Sequence, residues 1–227
     1  MSKILLLFLI FLPLTVIAGV SGDIALTTNY LSEGSSSSED KPALQGNITL
    51  DIPKDFYINF WGSNVNFPAP DGDKAHKELE AMLGNHRQVT PKFSYDAFIG
   101  RYAYPGATSA DYTEAQLTLT YLYYSLIADY SYDIFGYENT PGGYLEGDVN
   151  YPLFNWHAIK FYANARLGHY QLDPTAGETH NYYYVGFDAF YKSVDLLVQY
   201  SDTFSDPQLR GAEYHDHLLA TLTYHFK

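Results

Sequence analysis

Cysteine is absent from the 227-residue chain, which excludes a disulfide scaffold, a lipoprotein and thiol chemistry. Positive charge is scarce, with 13 Lys and Arg against 26 Asp and Glu. Such a surface should not favour nucleic acid or anionic lipid headgroups. The rival readings of the N-terminal apolar stretch are a membrane-anchoring helix and a secretory leader. The apolar stretch 4–17 is interrupted by Pro13 and falls short of the roughly 20 residues a spanning helix needs, and no basic stop-transfer flank follows it. With Lys3 before it and Val16-Ile17-Ala18 after it, the stretch reads instead as a secretory signal peptide cleaved near Ala18. The expected organisation is therefore a leader over 1–20 and a single exported domain over 21–227. Loss of Lys3 leaves 12 basic residues against 26 acidic, a net charge of about −14.

What the chain has in quantity is aromatic: 23 Tyr and 14 Phe, beside only 2 Met. Tyrosine joins an apolar ring to a polar tip and suits membrane interfaces, where outer-membrane barrels carry aromatic girdles. A tyrosine-rich soluble β-sandwich would share these totals, so the pattern along the chain has to decide.

That pattern has period two. In 157–169 the odd positions His157, Ile159, Phe161, Ala163, Ala165 and Leu167 oppose Lys160, Tyr162, Asn164, Arg166 and Gly168. Successive strand side chains point to opposite faces, so this segment has one apolar face and one face carrying two charges. Eleven further segments alternate in the same way: 23–31, 44–52, 56–66, 77–86, 93–104, 112–121, 125–135, 144–151, 182–191, 194–202 and 214–226. The helix formers in 77–86 weaken that segment, but Leu79, Ala81 and Leu83 keep the alternation. Arg101 falls on an apolar face, as a snorkelling rim residue or at a bulge.

An even strand number with connections that alternate long and short is the pattern of a bacterial outer-membrane barrel. Closure also removes the sheet edges that lipid does not tolerate. The expected fold is all-β, a 12-stranded antiparallel transmembrane β-barrel, porin-like, with apolar faces toward lipid and polar faces toward the lumen. Both chain ends then lie on the periplasmic side.

The stretches KPALQG at 41–46, WGSNVNF at 61–67, YPG at 104–106 and DYTE at 111–114 resemble the bacterial TorF-type porin family. The likeness covers nearly the whole mature chain, in the family's order. It implies an outer-membrane β-barrel of the porin type. The terminal Leu222, Tyr224 and Phe226 resemble the alternating end of such barrels, from which Lys227 departs by one residue.

With polar faces inward, the lumen gains Asp51, Glu78, Glu80, Asp96, Glu114, Asp129, Asp133, Glu146, Asp148, Asp188 and Asp195 against Lys160 and Arg166. A carboxylate-lined pore favours cations. The candidate pore-lining set is Glu114, Asp129, Glu146, Asp148, Lys160, Tyr162, Arg166, Asp188 and Asp195. Its bland reading is a solvated interior. A tight turn over 152–156 would set Asp148 opposite Lys160, with Asp188 within reach, as a barrier or as a register-fixing ion network. Tyr57, Trp61, Phe98, Tyr102, Tyr144, Tyr162, Tyr184 and Phe190 also point inward and constrict the lumen or stack on a passing ring.

These features imply passive diffusion of small hydrophilic solutes or ions, with a preference for cations, through a barrel in the bacterial outer membrane. No cofactor, metal site or catalytic set is expected. The partners expected are outer-membrane lipids, the permeating solutes or cations and the barrel assembly machinery. The alternatives are a non-conducting structural or receptor barrel and a lipid-modifying enzyme. For the enzyme, His157 lies beside a periplasmic turn with no serine placed with it, and His215 with His217 does not complete a coordination shell.

Overall fold

The computed structural model describes residues 19–204 and 216–227; residues 1–18 of the expected leader, with its cleavage context at 16–18, and His215 lie outside them. Twelve antiparallel strands form a closed barrel. In chain order they are β1 Gly19–Thr27, β4 Ala43–Ile52, β5 Phe56–Pro68, β6 Lys74–Thr90, β7 Phe93–Ala103, β8 Tyr112–Tyr121 and β9 Tyr124–Ser131. The rest are β10 Gly142–Trp156, β11 Ile159–Leu172, β12 His180–Tyr191, β13 Val194–Phe204 and β14 His217–Phe226. Two short strands, β2 Leu31–Ser32 and β3 Ser35–Ser36, form a separate hairpin within the β1–β4 connection. Each barrel strand pairs with its sequence neighbour, and β1 closes on β14 with Gly22 opposite Phe226 and Thr27 opposite Thr221. Every strand edge is thereby paired, as a lipid-facing sheet requires.

The alternation decides which face points out. Ile24, Leu26, Ile48, Leu83, Ile99, Leu117, Val185 and Leu222 are all exposed on the outer surface, and Phe187 is 64% exposed. A sheet dissolved in water would not leave so continuous an apolar belt uncovered. The residues between them, Thr27, Glu80, Glu114, Asp129, Glu146 and Ser201, are buried in the interior. The barrel is thus polar inside and apolar outside, and β6 is a strand despite its helix formers. Arg101 lies on the outer face at the loop end of β7, where it reaches Asp111 at 3.4 Å with no bulge in the β7–β8 register.

The connections separate by length. Turns at 53–55, 91–92, 122–123, 157–158 and 192–193 crowd one end, and the connections 28–42, 69–73, 104–111, 132–141 and 173–179 crowd the other. The β13–β14 connection lies almost wholly outside the described residues.

Several boundaries differ from the alternation. His157 belongs to a two-residue turn, with φ of 52° and Trp156 opposite Ile159, so β11 begins two residues later than expected. The stretch 152–156 is strand rather than turn; a bulge between Pro152 and Phe154 accommodates the proline, which has no N–H for the ladder. β1 ends at Thr27, and β9 ends at Ser131, short of Phe135 with its φ of 52°. Asp133 accordingly leaves the lumen wall: its Oδ1 accepts the Asn139 N–H at 2.8 Å and caps the loop turn.

Candidate lumen site

The inward faces build two tiers. Near the long connections, tyrosines and carboxylates interleave because both hold inward positions at strand ends. Tyr102 and Tyr112 stack at 4.7 Å, Phe135 meets Tyr112 edge-on at 5.7 Å, and Tyr170 lies 6.0 Å from Tyr144. Their hydroxyls serve the acids. Tyr104 donates to Glu78 at 2.6 Å, Tyr182 donates to Glu146 at 2.8 Å, and Tyr102 donates to Glu114. Tyr182 is 1% exposed because its ring lies over Gly168, where a Cβ would collide with it. Among the described residues, neither carboxylate oxygen of Asp129 has a hydrogen-bond partner.

Arg166 is the cation of this tier. Its Nε lies 3.1 Å from Glu146, its Nη2 donates to Asp148 at 3.0 Å, and its guanidinium sits 5.5 Å above the Tyr184 ring. The register makes this pairing, since Asp148 stands opposite Arg166. The expected opposition of Asp148 and Lys160 does not form: Lys160 faces Asn155 and Phe190 instead, because the strand runs on where a tight turn was expected.

Over this tier lies the connection 28–42, folded into the barrel mouth. Tyr184 OH accepts the Gly34 N–H at 2.9 Å, and the Asn66 N–H donates to the Ser37 carbonyl at 2.7 Å. The His180 ring nitrogens each lie 2.8 Å from a carbonyl oxygen, Glu178 on one side and Glu33 on the other. Asn29 organises the loop from within, accepting the Ser36 hydroxyl at 2.7 Å and the Ser38 hydroxyl at 3.0 Å and donating to Asp40 at 2.8 Å. Gly34 has φ of 85°, and a Cβ there would stand 2.6 Å from both Thr203 and Tyr182. Burial pushes the Glu33 carboxyl up, against smaller opposing effects of the Ser32 hydroxyl and Arg166. At the rim, hydrogen bonds from Lys41 and Lys74, each at 3.0 Å, hold the Glu39 carboxyl below its usual range.

The tier near the short turns is polar and partly open. His225 Nε2 lies 2.5 Å from Asp195 and its Nδ1 4.0 Å from Asp23. Tyr57 OH donates to Asp96 at 2.8 Å, and Asp188 stands opposite Tyr162.

Of the nine residues in the candidate set, Glu114, Asp129, Glu146, Asp148 and Arg166 gather in the loop-side tier. Tyr162, Asp188, Asp195 and Lys160 lie toward the turns, with Lys160 exposed. Sequence reasoning missed Glu33 and the tyrosines Tyr30, Tyr104, Tyr112, Tyr170 and Tyr182. Parity could have found Tyr112 and Tyr182, which share inward faces with Glu114 and Tyr184; nothing local marks 28–42 as folding inward. Among the described residues no group of three or more His, Asp or Glu is placed to hold a metal ion.

A family model described as a bacterial protein of unknown function (Gcw_chp) matches residues 15–226. No curated protein matches the chain in sequence. Among solved structures, the KdgM porin aligns with a TM-score of 0.57 at 11% identity, covering 91% of this chain and 99% of that one. The NanC porin aligns with a TM-score of 0.53 at 8% identity, covering 92% and 100%. At such identities the likeness is one of fold.

Proposed function

The chain belongs to the Gcw_chp family of bacterial proteins of unknown function, and we propose that it acts as an outer-membrane, porin-like channel for small hydrophilic solutes or ions, with a preference for cations. The observation that carries the preference is the charge of the lumen. Glu78, Glu80, Glu114 and Asp129 are buried there with no lysine or arginine paired to them, while Arg166 is committed to Glu146 and Asp148. Carboxyl groups with no basic partner, on strands β6, β8 and β9, attract cations and repel anions wherever they ionise. The apolar exterior and the segregated connections support a membrane setting, and the barrel shape of two porins and the TorF-type motifs support the channel. Lipid, the permeating solute and the assembly machinery are its proposed partners, reached by export on the leader.

The inward connection 28–42 favours a second reading, a barrel that is closed and serves as a receptor. Conductance of refolded protein in a planar bilayer separates the two. Gly34→Val should push the loop out of the mouth, since its Cβ has no room and its φ disfavours a branched residue. The channel reading expects discrete steps that grow in this variant. A folded, inserted barrel that stays silent in both forms would overturn it.

A further inference from the structure

We propose that the cavity beneath the 28–42 loop is a binding vestibule for a small organic cation bearing N–H donors on an apolar body, a primary ammonium or a guanidinium. The inference rests on the channel reading for the route by which the solute arrives, and it names the solute's chemistry.

The cavity has a volume of about 670 Å³, within the range of sites that take small molecules. Among the described residues six carboxylic side chains line it, Glu33, Glu39, Asp40, Glu78, Glu80 and Glu114, and no lysine or arginine does. Most of these acids have partners. Glu39 binds Lys41 and Lys74 at the rim, Glu78 accepts from Tyr104, and Glu114 accepts from Tyr102. Glu80 is different. It is 8% exposed, it lines the cavity, and no described residue gives it a hydrogen bond or an ion pair. A buried carboxyl group without a partner is costly, and its acceptor oxygens call for donors from outside the chain.

Charge and shape narrow the ligand. Carboxyl groups crowded together cannot all ionise without a counter-charge, so a cation is the guest that relieves them. Tyrosine and phenylalanine rings form one wall, with Tyr102, Tyr112, Phe135 and Tyr170 in a continuous run of ring contacts, and the loop serines and His180 line the side toward the mouth. Such rings attract a cation over their faces and cover an apolar body. A hydrated metal ion would leave the aromatic wall unused. A quaternary ammonium would satisfy the charge but not the acceptors of Glu80.

The test is titration calorimetry on the refolded full barrel in detergent micelles with benzylamine, against benzyl alcohol as its neutral counterpart and benzyltrimethylammonium as the cation without N–H. Benzylamine is expected to bind saturably, the trimethyl compound at least tenfold more weakly, and the alcohol without saturation. Glu80→Gln should weaken benzylamine at least tenfold while the gel mobility of the folded barrel is kept; Glu114→Gln serves if that variant does not fold. No saturable heat, equal binding of the alcohol, or an affinity untouched in the folded variant would overturn the proposal. Bilayer conductance separates it from the channel reading: a conducting barrel indifferent to benzylamine sinks the vestibule alone, whereas a silent barrel that binds it sinks the channel alone.

Discussion

Leu117 and Thr118 are neighbours in the middle of β8, and they face lipid and lumen respectively. Leu117 stands on the outer face opposite Ala97 and Ala128, and Thr118 points inward opposite Asp96 and Ile127. β8 has 10 residues, about the number needed to cross a bilayer core at a tilt, so position 117 falls near the midplane. Arginine on the lipid face at that depth costs about 2–4 kcal/mol. At about 1.4 kcal/mol per tenfold, Leu117→Arg should lower the folded-to-unfolded ratio by roughly 30- to 700-fold. Thr118→Arg places the same guanidinium in a polar lumen near Asp96, and its effect should stay within about 0.5 kcal/mol. The assay is urea unfolding of protein refolded into lipid vesicles, followed by tryptophan fluorescence and by heat-modifiable gel migration. Equal costs at the two positions, or a larger cost at Thr118, would refute the assignment of faces.

The same structure makes two further predictions. Glu33 has its carboxyl raised by burial in the docked loop, relative to about 4.3 for a free glutamate. The docked state therefore binds the proton more tightly, so this contribution to docking is complete below about pH 4.3 and is lost as pH rises through the raised value. Single-channel conductance should climb with pH across that window, and Glu33→Gln should flatten the climb; an unchanged climb in the variant would exclude this group as its source. Arg166→Met leaves Glu146 and Asp148 without their counter-charge. Stability in the urea assay should fall by about 1–2 kcal/mol, less than for a fully buried pair because the guanidinium is partly exposed to lumen water, and cation selectivity should increase. A variant as stable as the parent with unaltered selectivity would contradict the role given to Arg166.

The strands were legible because a wall between lipid and water imposes strict alternation, and each barrel segment shows it. The grouping of short turns at one end was legible for the same reason, through the spacing of those segments. Register was not. The bulge at Pro152 and the turn at His157 depend on backbone geometry that periodicity does not encode, and together they moved the partner of Asp148 from Lys160 to Arg166. The lumen acids Glu114, Asp129 and Glu146 could be placed by parity, since an inward position needs only an odd or even count from a known neighbour. The loop 28–42 could not. Its serines and acids read as a solvated connection, and what turns it inward is distant residues such as Tyr184, His180 and Asn66, which meet its backbone across the mouth.

The central claim, a cation-preferring conduit, is tested most directly by the reversal potential of the refolded barrel in a planar bilayer under a tenfold KCl gradient. A perfectly selective cation pore would reverse at about 59 mV at room temperature. The expected result is a reversal of the cation-selective sign, tens of millivolts in size, that moves toward zero when Asp129 and Asp188 are both changed to asparagine. A reversal at zero, or of the opposite sign, would contradict it.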